Sequence, residues 1–488
     1  MTMPIRPPPL APEDVLSFPL PVDIGEFIAP ILSNRASSPI IRSSNAAELR
    51  SQIPTGIPRQ GEPMEGVLTE LSVLLEPYTR RNTHPGFFGY IASPGLPTDP
   101  LGHAMVAALN QNVVGYPGAP AATTIERSVV RWLVQLVGLP DESDGLLLAG
   151  GSIANLTALA AALHARFGPE IRDKGLAQLA PEQMPIILAA ESVHFSVQRA
   201  AVLLGIGRQQ VHTLATDDHF CLCPEALEAE LKRAAKAGTL PICVVASAGS
   251  TTTGSIDPLD AIAEVCTRYG VWLHVDAAYG AAAMLCPDLR ERLAGIESAD
   301  SVTLDLHKWF YLAFDASVLL LRDADAAKQV FFERSDYVQF PRQGTPEQFM
   351  FFHLGPELSR RFRALPAYLA IRHYGADRLG RNVLHNVQCA RYLADLINHD
   401  PNLQLVNDPQ LSICCLRYAP PGLDSEVVDR INTKIRMKLE QEGDFYLSST
   451  NINGRPVLRV CIINHATRAE HMEALVQAVL RIGGSMTQ

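Results

Sequence analysis

Between residues 100 and 325 the chain alternates short apolar runs with helix-forming stretches, and few folds accept that pattern. The runs are Leu146–Leu148, Ile186–Ala189, Ile242–Val245, Val271–Val275 and Ser317–Leu321. Such alternation predicts a largely parallel sheet with helices on both faces, an α/β architecture whose ligands gather at the carboxyl ends of the strands. A length of 488 residues suffices for roughly three units at about 100 to 200 residues each. The expected division is an N-terminal segment, 1–95, that wraps over another surface, a large domain, 96–370, and a smaller domain, 371–488. The N-terminal part mixes proline and serine runs such as Arg35–Pro39 with a few apolar segments. A helix is expected near Ala364–Tyr374. Beyond it, helices alternate with strands that include Leu411–Leu416 and Val457–Ile463.

Two charged residues interrupt apolar surroundings in a way that suggests chemistry. Asp276 follows Val271–Val275, which reads as a buried strand, and the small Ala277 and Ala278 after it leave room for a flat ring. Lys308 stands among Leu306, Trp309 and Phe310. Burial among such neighbours promotes loss of the ammonium proton near neutral pH, which an amine that attacks a carbonyl requires. Pyridoxal phosphate (PLP) needs both groups: a lysine to bond to its aldehyde, and a carboxylate to keep its ring nitrogen protonated so that the ring withdraws electrons. A charge-assisted hydrogen bond of that sort is worth roughly 1.5–3 kcal/mol. Singly, each residue has a plainer explanation, a lysine snorkelling out of a core segment or an aspartate capping a strand end. The combination favours the cofactor.

A third element agrees with it. Gly145–Leu148 reads as a short strand, followed by Gly150, Gly151 and Ser152 and then by an Ala/Leu-rich stretch reaching Arg166 that forms helix readily. Backbone N–H groups and a hydroxyl therefore converge at a helix N-terminus, where partial positive charge binds phosphate. The spacing is not that of a nucleotide-binding or dinucleotide-binding glycine loop.

Composition narrows the partners. A net charge of −10 indicates no extended basic surface for nucleic acid. The nine cysteines form no even disulfide framework, and Cys221–Cys223 and Cys414–Cys415 lack zinc-site spacing, so reduced, buried thiols and no metal are expected. Met1–Leu10 is proline-rich without the apolar core of a signal peptide, and no stretch is long enough to span a bilayer. A cytoplasmic location is expected, with no membrane partner.

The chain resembles the PLP-dependent decarboxylases of the aromatic-L-amino-acid decarboxylase family, which includes glutamate, histidine and tyrosine decarboxylases. The resemblance covers nearly everything after about residue 60. It rests on His307–Trp309, His274–Tyr279, Pro120 with Glu126, and Leu458–Val460, and is weakest in the N-terminal stretch. It implies fold type I: a mostly parallel seven-stranded sheet flanked by helices, a smaller C-terminal α+β domain, and a homodimer that shares its active sites. It also implies roles. His194 stacks on one face of the cofactor ring and Ala278 touches the other, Gly151 and Ser152 cradle the phosphate, Ser247 hydrogen-bonds the cofactor, and His307 adds a polar group beside Lys308. Tyr337, in the polar stretch Phe332–Pro341, matches a loop tyrosine that protonates the substrate carbon after CO2 leaves. Relatives that make aldehydes carry phenylalanine there, so tyrosine favours simple decarboxylation.

The same resemblance assigns Tyr90, Ile91, Ala92, Ser93, Val114, Tyr116 and Ser359 to the substrate pocket. Ile91 and Val114 stand where aromatic rings are usual and Asn82 where a tryptophan is, while Ser359 occupies a position that carries serine in relatives acting on phenolic substrates and in histidine decarboxylases. An aromatic amino acid is the leading expectation, with a bulky aliphatic one or histidine as competitor. No fixed cation at these positions suits an acidic substrate. Arg459 either meets a carboxylate or holds the closing loop. Transamination, aldol cleavage or oxidative deamination on the same fold, and a catalytically silent binding protein, are the rival classes.

Overall fold

The computed structural model describes residue 25 and residues 39–42, 44–180, 183–333 and 349–487. The described residues up to Arg81 form one compact unit and Asn82–Gln488 another. The first contains helices α1 (Ala46–Ser51) and α2 (Met64–Tyr78). Asn45 caps α1, its Oδ1 accepting the N–H groups of Ala47 and Glu48 at 2.8 and 3.0 Å. Neither helix buries a residue, and Val73 and Leu75 of α2 are exposed.

The second unit begins with the two-residue strand β1 (Phe87–Phe88), then helices α3 (Asp99–Leu109) and α4 (Pro120–Val137). Proline opens α4, where no N–H is needed, and Gly138 ends it at φ +84°, a conformation that costs a glycine nothing. The large sheet follows: β2 (Asp144–Leu148), β3 (Pro185–Ala190), β4 (Val211–Leu214), β5 (Leu240–Ser247), β6 (Trp272–Asp276), β7 (Ser301–Asp305) and β8 (Ser317–Leu321). Its order is β2-β8-β7-β6-β5-β3-β4. Neighbours from β7 to β4 run parallel, while β8 is antiparallel to both β7 and β2. This is the mostly parallel α/β sheet that the alternation predicts. The central strands carry unbroken apolar runs because helices cover both faces, and Leu147, Leu148, Val244, Val245, Val275 and Leu304 have no accessible surface.

Two strands escape the apolar-run pattern. β4 is an edge strand, so His212 and Thr213 are tolerated on it. β7 alternates hydroxyls and a carboxylate with Val302 and Leu304, yet all five of its residues are buried. Helices α5 (Gly151–Phe167), which follows β2, and α6 (Phe195–Leu203), which follows β3, bring their N-termini to the carboxyl ends of the strands. Register does the rest: Ser247 pairs with Asp276, Asp276 with Thr303, and Asp305 with Ser317.

After helix α7 (Ala364–Tyr374) and the long α8 (Ala376–Asn398), the chain builds a second sheet from β9 (Leu403–Leu405), β10 (Ile413–Tyr418), β11 (Tyr446–Ile452) and β12 (Arg455–Cys461). β1 adds to it in parallel beside β11, Phe87 opposite Tyr446. Helices α9 (Ser425–Glu442) and α10 (Ala469–Gly484) pack on it with α8 around Leu393, Ile431, Leu447, Val460 and Leu475. Hydrogen bonds tie this layer to the large sheet near Lys308. The Asn386 side chain of α8 accepts from the Trp309 indole at 3.0 Å and the Tyr311 hydroxyl at 2.6 Å, and the Ser412 N–H donates to the Tyr279 hydroxyl at 2.9 Å. Tyr279 in turn stacks on Trp309, centroids 5.0 Å apart.

A buried ion pair locks the other side of the large sheet. Glu126 of α4 pairs with Arg360, and both are almost wholly inaccessible. The guanidinium also donates to the carbonyls of Val113 and Leu147, at 2.6 and 2.7 Å, and lies 4.2 Å over the Phe351 ring.

Among the described residues no helix is long and apolar enough to cross a membrane. All nine cysteines are free, and all but Cys223 are buried.

Candidate functional site

Asp276 ends the central strand β6, and its carboxylate is held from two sides. Oδ2 accepts the Asn155 side-chain amide at 2.8 Å, and Oδ1 accepts the Ala278 N–H at 3.1 Å. Asn155 lies one turn into α5, so it reaches across the sheet end from a helix otherwise rich in Ala and Leu. Its amide also donates to Ser196 Oγ at 3.0 Å, and its carbonyl oxygen meets His274 Nε2 at 3.1 Å. His274 Nδ1 in turn meets Ser301 Oγ at 2.8 Å, and that oxygen takes the Trp272 indole N–H, also at 2.8 Å.

One proton arrangement satisfies every member of this chain. Burial pushes the His274 pKa down to about 4 against the pull of Asp276, so the ring is neutral. Nε2–H donates to Asn155, Nδ1 accepts from Ser301, and both Asn155 amide hydrogens are spent, on Asp276 and Ser196. A neutral, saturated network keeps the Asp276 carboxylate in place without neutralising it.

His194 caps the N-terminus of α6. Its Nδ1 faces Ser196 Oγ at 2.7 Å and the Ser196 N–H at 3.3 Å, which leaves Nε2 as the protonated nitrogen. Burial lowers its pKa; Asp276 opposes that effect and the Lys308 ammonium adds to it. The imidazole is therefore neutral at physiological pH.

Lys308 follows β7 by three residues, and its Nζ lies 2.8 Å from Asp305 Oδ2. Here the structure corrects the sequence expectation of an amine freed by burial. Burial does depress the Lys308 pKa, but the Asp305 and Asp276 carboxylates outweigh it and hold the ammonium above the ordinary lysine value. Asp305 was not foreseen. Burial raises its pKa, Lys308 and His307 lower it more, and the net shift is downward. Ser317 Oγ donates to its Oδ1. A partly apolar sequence context conceals a fixed counter-charge three residues away, and only strand register discloses it.

Gly150 is extended, and α5 begins after it with no side-chain cap on its first N–H groups. An added Cβ at Gly150 would meet no atom within 4 Å, whereas one at Gly151 would lie 2.9 and 3.0 Å from the Asp305 oxygens. Ser152 is half-buried. Ser247 is buried beside Asp276 and donates its N–H to Asp257 Oδ2 at 2.7 Å. His307 is buried, held at Nδ1 by the Ala316 backbone, with Nε2 3.8 Å from Asp305 Oδ2.

The expected pocket residues divide. Ser93 reaches the lysine turn, its hydroxyl donating to the Leu312 carbonyl at 3.1 Å; beside it Ala92 is half-buried and Ile91 buried. Tyr90 is exposed, at φ +56°, with its N–H on Ser448 Oγ at 2.6 Å. Val114 and Tyr116 pair with residues 349–351 through backbone bonds of 2.9 Å, and Ser359 is exposed beside the buried Arg360. Asn82 donates to the Ser93 carbonyl at 2.9 Å. Arg459 is buried and spends Nε and Nη1 on the carbonyls of Thr251 and Tyr90, at 2.7 and 3.0 Å. Tyr337 lies outside the described residues.

Residues 47–419 match the family model described as the pyridoxal-dependent decarboxylase conserved domain. An aromatic-L-amino-acid decarboxylase of Bacillus atrophaeus is 29% identical over 455 residues, covering 93% of this chain and 92% of the relative. A phenylacetaldehyde synthase of Arabidopsis thaliana is 26% identical over 458 residues, covering 92% of each. Among solved structures, that of Oryza sativa TDC with PLP and tryptamine superposes with a TM-score of 0.88 at 25% identity, covering 95% of this chain and 96% of that one.

Proposed function

The chain belongs to the pyridoxal-dependent decarboxylase family, a PLP-dependent carboxy-lyase acting on an L-amino acid, and from that premise we propose that its substrate is aromatic, of the tyrosine, dihydroxyphenylalanine or tryptophan type. The names of the relatives support that choice, since both decarboxylase and aldehyde-forming relatives act on aromatic compounds.

The residues fit the cofactor. The open end of α5 at Gly150, with Gly151 and Ser152, suits a phosphate, and a flat ring has Ala278 to lie against and His194 to face. When bound, PLP supplies a ring that accepts the electron pair left by the departing carboxylate. Asp276 keeps the ring nitrogen protonated, and Asn155, backed by neutral His274, holds that carboxylate in line. Ser247 and His307 complete the polar lining. Lys308 would hold the cofactor through its side-chain amine. Tyr337 donates a proton to the substrate Cα once CO2 has left. The observation that best supports the reading is the convergence of Asp276 and the Lys308 amine at the carboxyl ends of adjacent strands, beside an uncapped helix N-terminus.

The test is to supply PLP-loaded protein with L-tyrosine, dihydroxyphenylalanine, tryptophan, phenylalanine, histidine, glutamate, leucine and valine, following CO2 and product masses. An aromatic amine is expected. A leucine- or valine-derived amine would move the substrate to the aliphatic class that Ile91 and Val114 suggest, and aldehyde with ammonia would move the reaction to the oxidative branch. In the same assay Tyr337→Phe should lower amine and raise aldehyde, and unchanged products would remove Tyr337 from the proton transfer.

We also assign the protein to a homodimer with shared sites and to the cytoplasm. Leu101, Met105 and Leu109 form an exposed apolar stripe along α3, at 59, 41 and 51% exposure, a face that a second copy would cover. Met105→Lys should then weaken association by about tenfold or more, read by sedimentation at several concentrations. An unchanged dimer would place the interface elsewhere.

A further inference from the structure

Asp305 is positioned as more than a partner for one lysine. It ends β7, where pairing with Ser317 of β8 fixes its backbone, and its side chain is 2% exposed. Both carboxylate oxygens lie closer than van der Waals contact to where a Cβ on Gly151 would stand, at 2.9 and 3.0 Å, so the negative charge abuts the first residue of α5. That helix runs for 17 residues and has no side-chain cap. A fixed anion is thus built in at the positive end of a long helix, the same end that suits a phosphate.

We infer that the Asp305 carboxylate is an internal counter-anion that limits how tightly the start of α5 holds phosphate and how readily the Lys308 amine is released to react. The inference rests on the assignment of that helix end and of Lys308 to the cofactor. A phosphate reaching the helix N-terminus meets a like charge a few ångströms away, in a setting water screens poorly. Because the Lys308 ammonium, 2.8 Å from the same carboxylate, cancels most of that charge, the residual repulsion weakens anion binding by about tenfold. Lys308 is affected in the opposite sense. Its ammonium must lose a proton to solvent before its nitrogen can bond to the aldehyde carbon, whose oxygen leaves as water, and the pair with Asp305 opposes that loss.

Among the other groups facing the pair, Asp276 of β6 adds to the hold on Lys308, but the atoms nearest a Cβ on Gly151 all belong to Asp305. His194, at the cap of α6, and His307, on the lysine turn, are both shifted toward the neutral form, chiefly by burial. Cys461 of β12 stays a thiol because burial pushes its pKa up to about 11. Asp315 acts on His307 rather than on the lysine. Asp305 is therefore a positioning residue that tunes phosphate affinity and amine release together.

The experiment titrates the full-length chain with inorganic phosphate and, separately, with PLP, reading tryptophan fluorescence for the first and the visible band of the captured cofactor for the second. Asp305→Asn should bind inorganic phosphate about tenfold more tightly and shift the pH profile of PLP capture toward acid by about one unit. Ser317→Ala, which removes the hydroxyl that donates to the carboxylate and leaves its charge less shielded, should change phosphate affinity in the opposite direction, weakening it by about two- to threefold. Unchanged or weaker phosphate binding in a folded Asp305→Asn protein would overturn the inference. If that variant does not fold, Ser317→Ala decides, and unchanged or tighter phosphate binding in it would overturn the inference. Lys308→Ala separates the two levels: if it still develops the visible band, the assignment of the site is wrong, and if it loses the band while Asp305→Asn leaves phosphate affinity unchanged, only the role of Asp305 is.

Discussion

Lys308→Ala should lose turnover by a thousandfold or more, on the order of what a positioned nucleophile and proton carrier contributes, together with the visible absorbance of the captured cofactor. The same change should also be felt in stability. Lys308 Nζ is 2.8 Å from a carboxylate that is 2% exposed, so its removal leaves Asp305 with Ser317 and the more distant His307 for support. Breaking a buried pair by deleting one partner costs about 3 kcal/mol or more. Neutralising the survivor in Lys308→Ala/Asp305→Asn should recover most of that stability while leaving turnover lost. Urea unfolding of the single and double variants, alongside CO2 release, separates the two effects. Turnover regained by the double variant would remove Lys308 from the chemistry.

Arg360→Met is expected to give the largest loss of stability without touching the lysine. Its guanidinium answers Glu126 and the carbonyls of Val113 and Leu147 in a region closed to solvent, so methionine leaves a buried carboxylate and two carbonyls without their cation. The expected cost is about 3–5 kcal/mol. Burial already raises the Glu126 pKa above the usual carboxylate value, with Arg360 pulling against it. Without Arg360 the native carboxyl would be raised further. A raised native pKa contributes stability below the unfolded pKa that is lost as pH rises through the native one, so the deficit should be smaller in mildly acid than in mildly alkaline buffer. Glu126→Gln/Arg360→Met should be less damaged than Arg360→Met alone. The midpoint of urea unfolding reads all three, and a single variant within about 0.5 kcal/mol of the parent would show that the pair is not required for stability.

What was legible in the sequence followed from periodicity and local composition. Five strands of the large sheet announce themselves as apolar runs because a parallel sheet is dry on both faces, and Asp276 and Lys308 stand out as charges against that background. β7 stayed hidden because its hydroxyls and carboxylate face the site, where function overrides the apolar rule. Asp305 could be seen as a residue but not as a partner, since the distance between Lys308 and its neighbours depends on how the turn after β7 folds back. Asn155 and Ser196 were equally opaque. Each is a common polar residue near a helix start, and what gives it meaning is a carboxylate arriving from a strand more than seventy residues away. A polar residue placed one turn into an otherwise Ala/Leu-rich helix was the available signal. The strands of the smaller sheet were found with shifted ends, Ile413–Tyr418 and Arg455–Cys461. Phe87–Phe88, grouped by sequence with the N-terminal segment, pairs with the strand that starts at Tyr446, a long-range pairing that no local pattern encodes.

The two aromatic residues that bracket the turn after Lys308, Trp309 and Tyr311, both end on one side chain of α8, Asn386, which itself donates to the carbonyl of Asn464 at 3.0 Å. The reactive turn and the C-terminal layer are in this sense one inheritable module, although its outermost members, Trp309 and Asn464, lie 155 positions apart (464 − 309). A hybrid assembled from two relatives, with its crossover between the end of β8 and the start of α8, would bring together a turn and an asparagine that had never been matched. Such a hybrid would misplace the amine before any substrate contact was altered. Exchange of substrate preference among these proteins is better sought by grafting residues 82–116 alone, since crossovers at the ends of that segment leave the turn and Asn386 from the same parent.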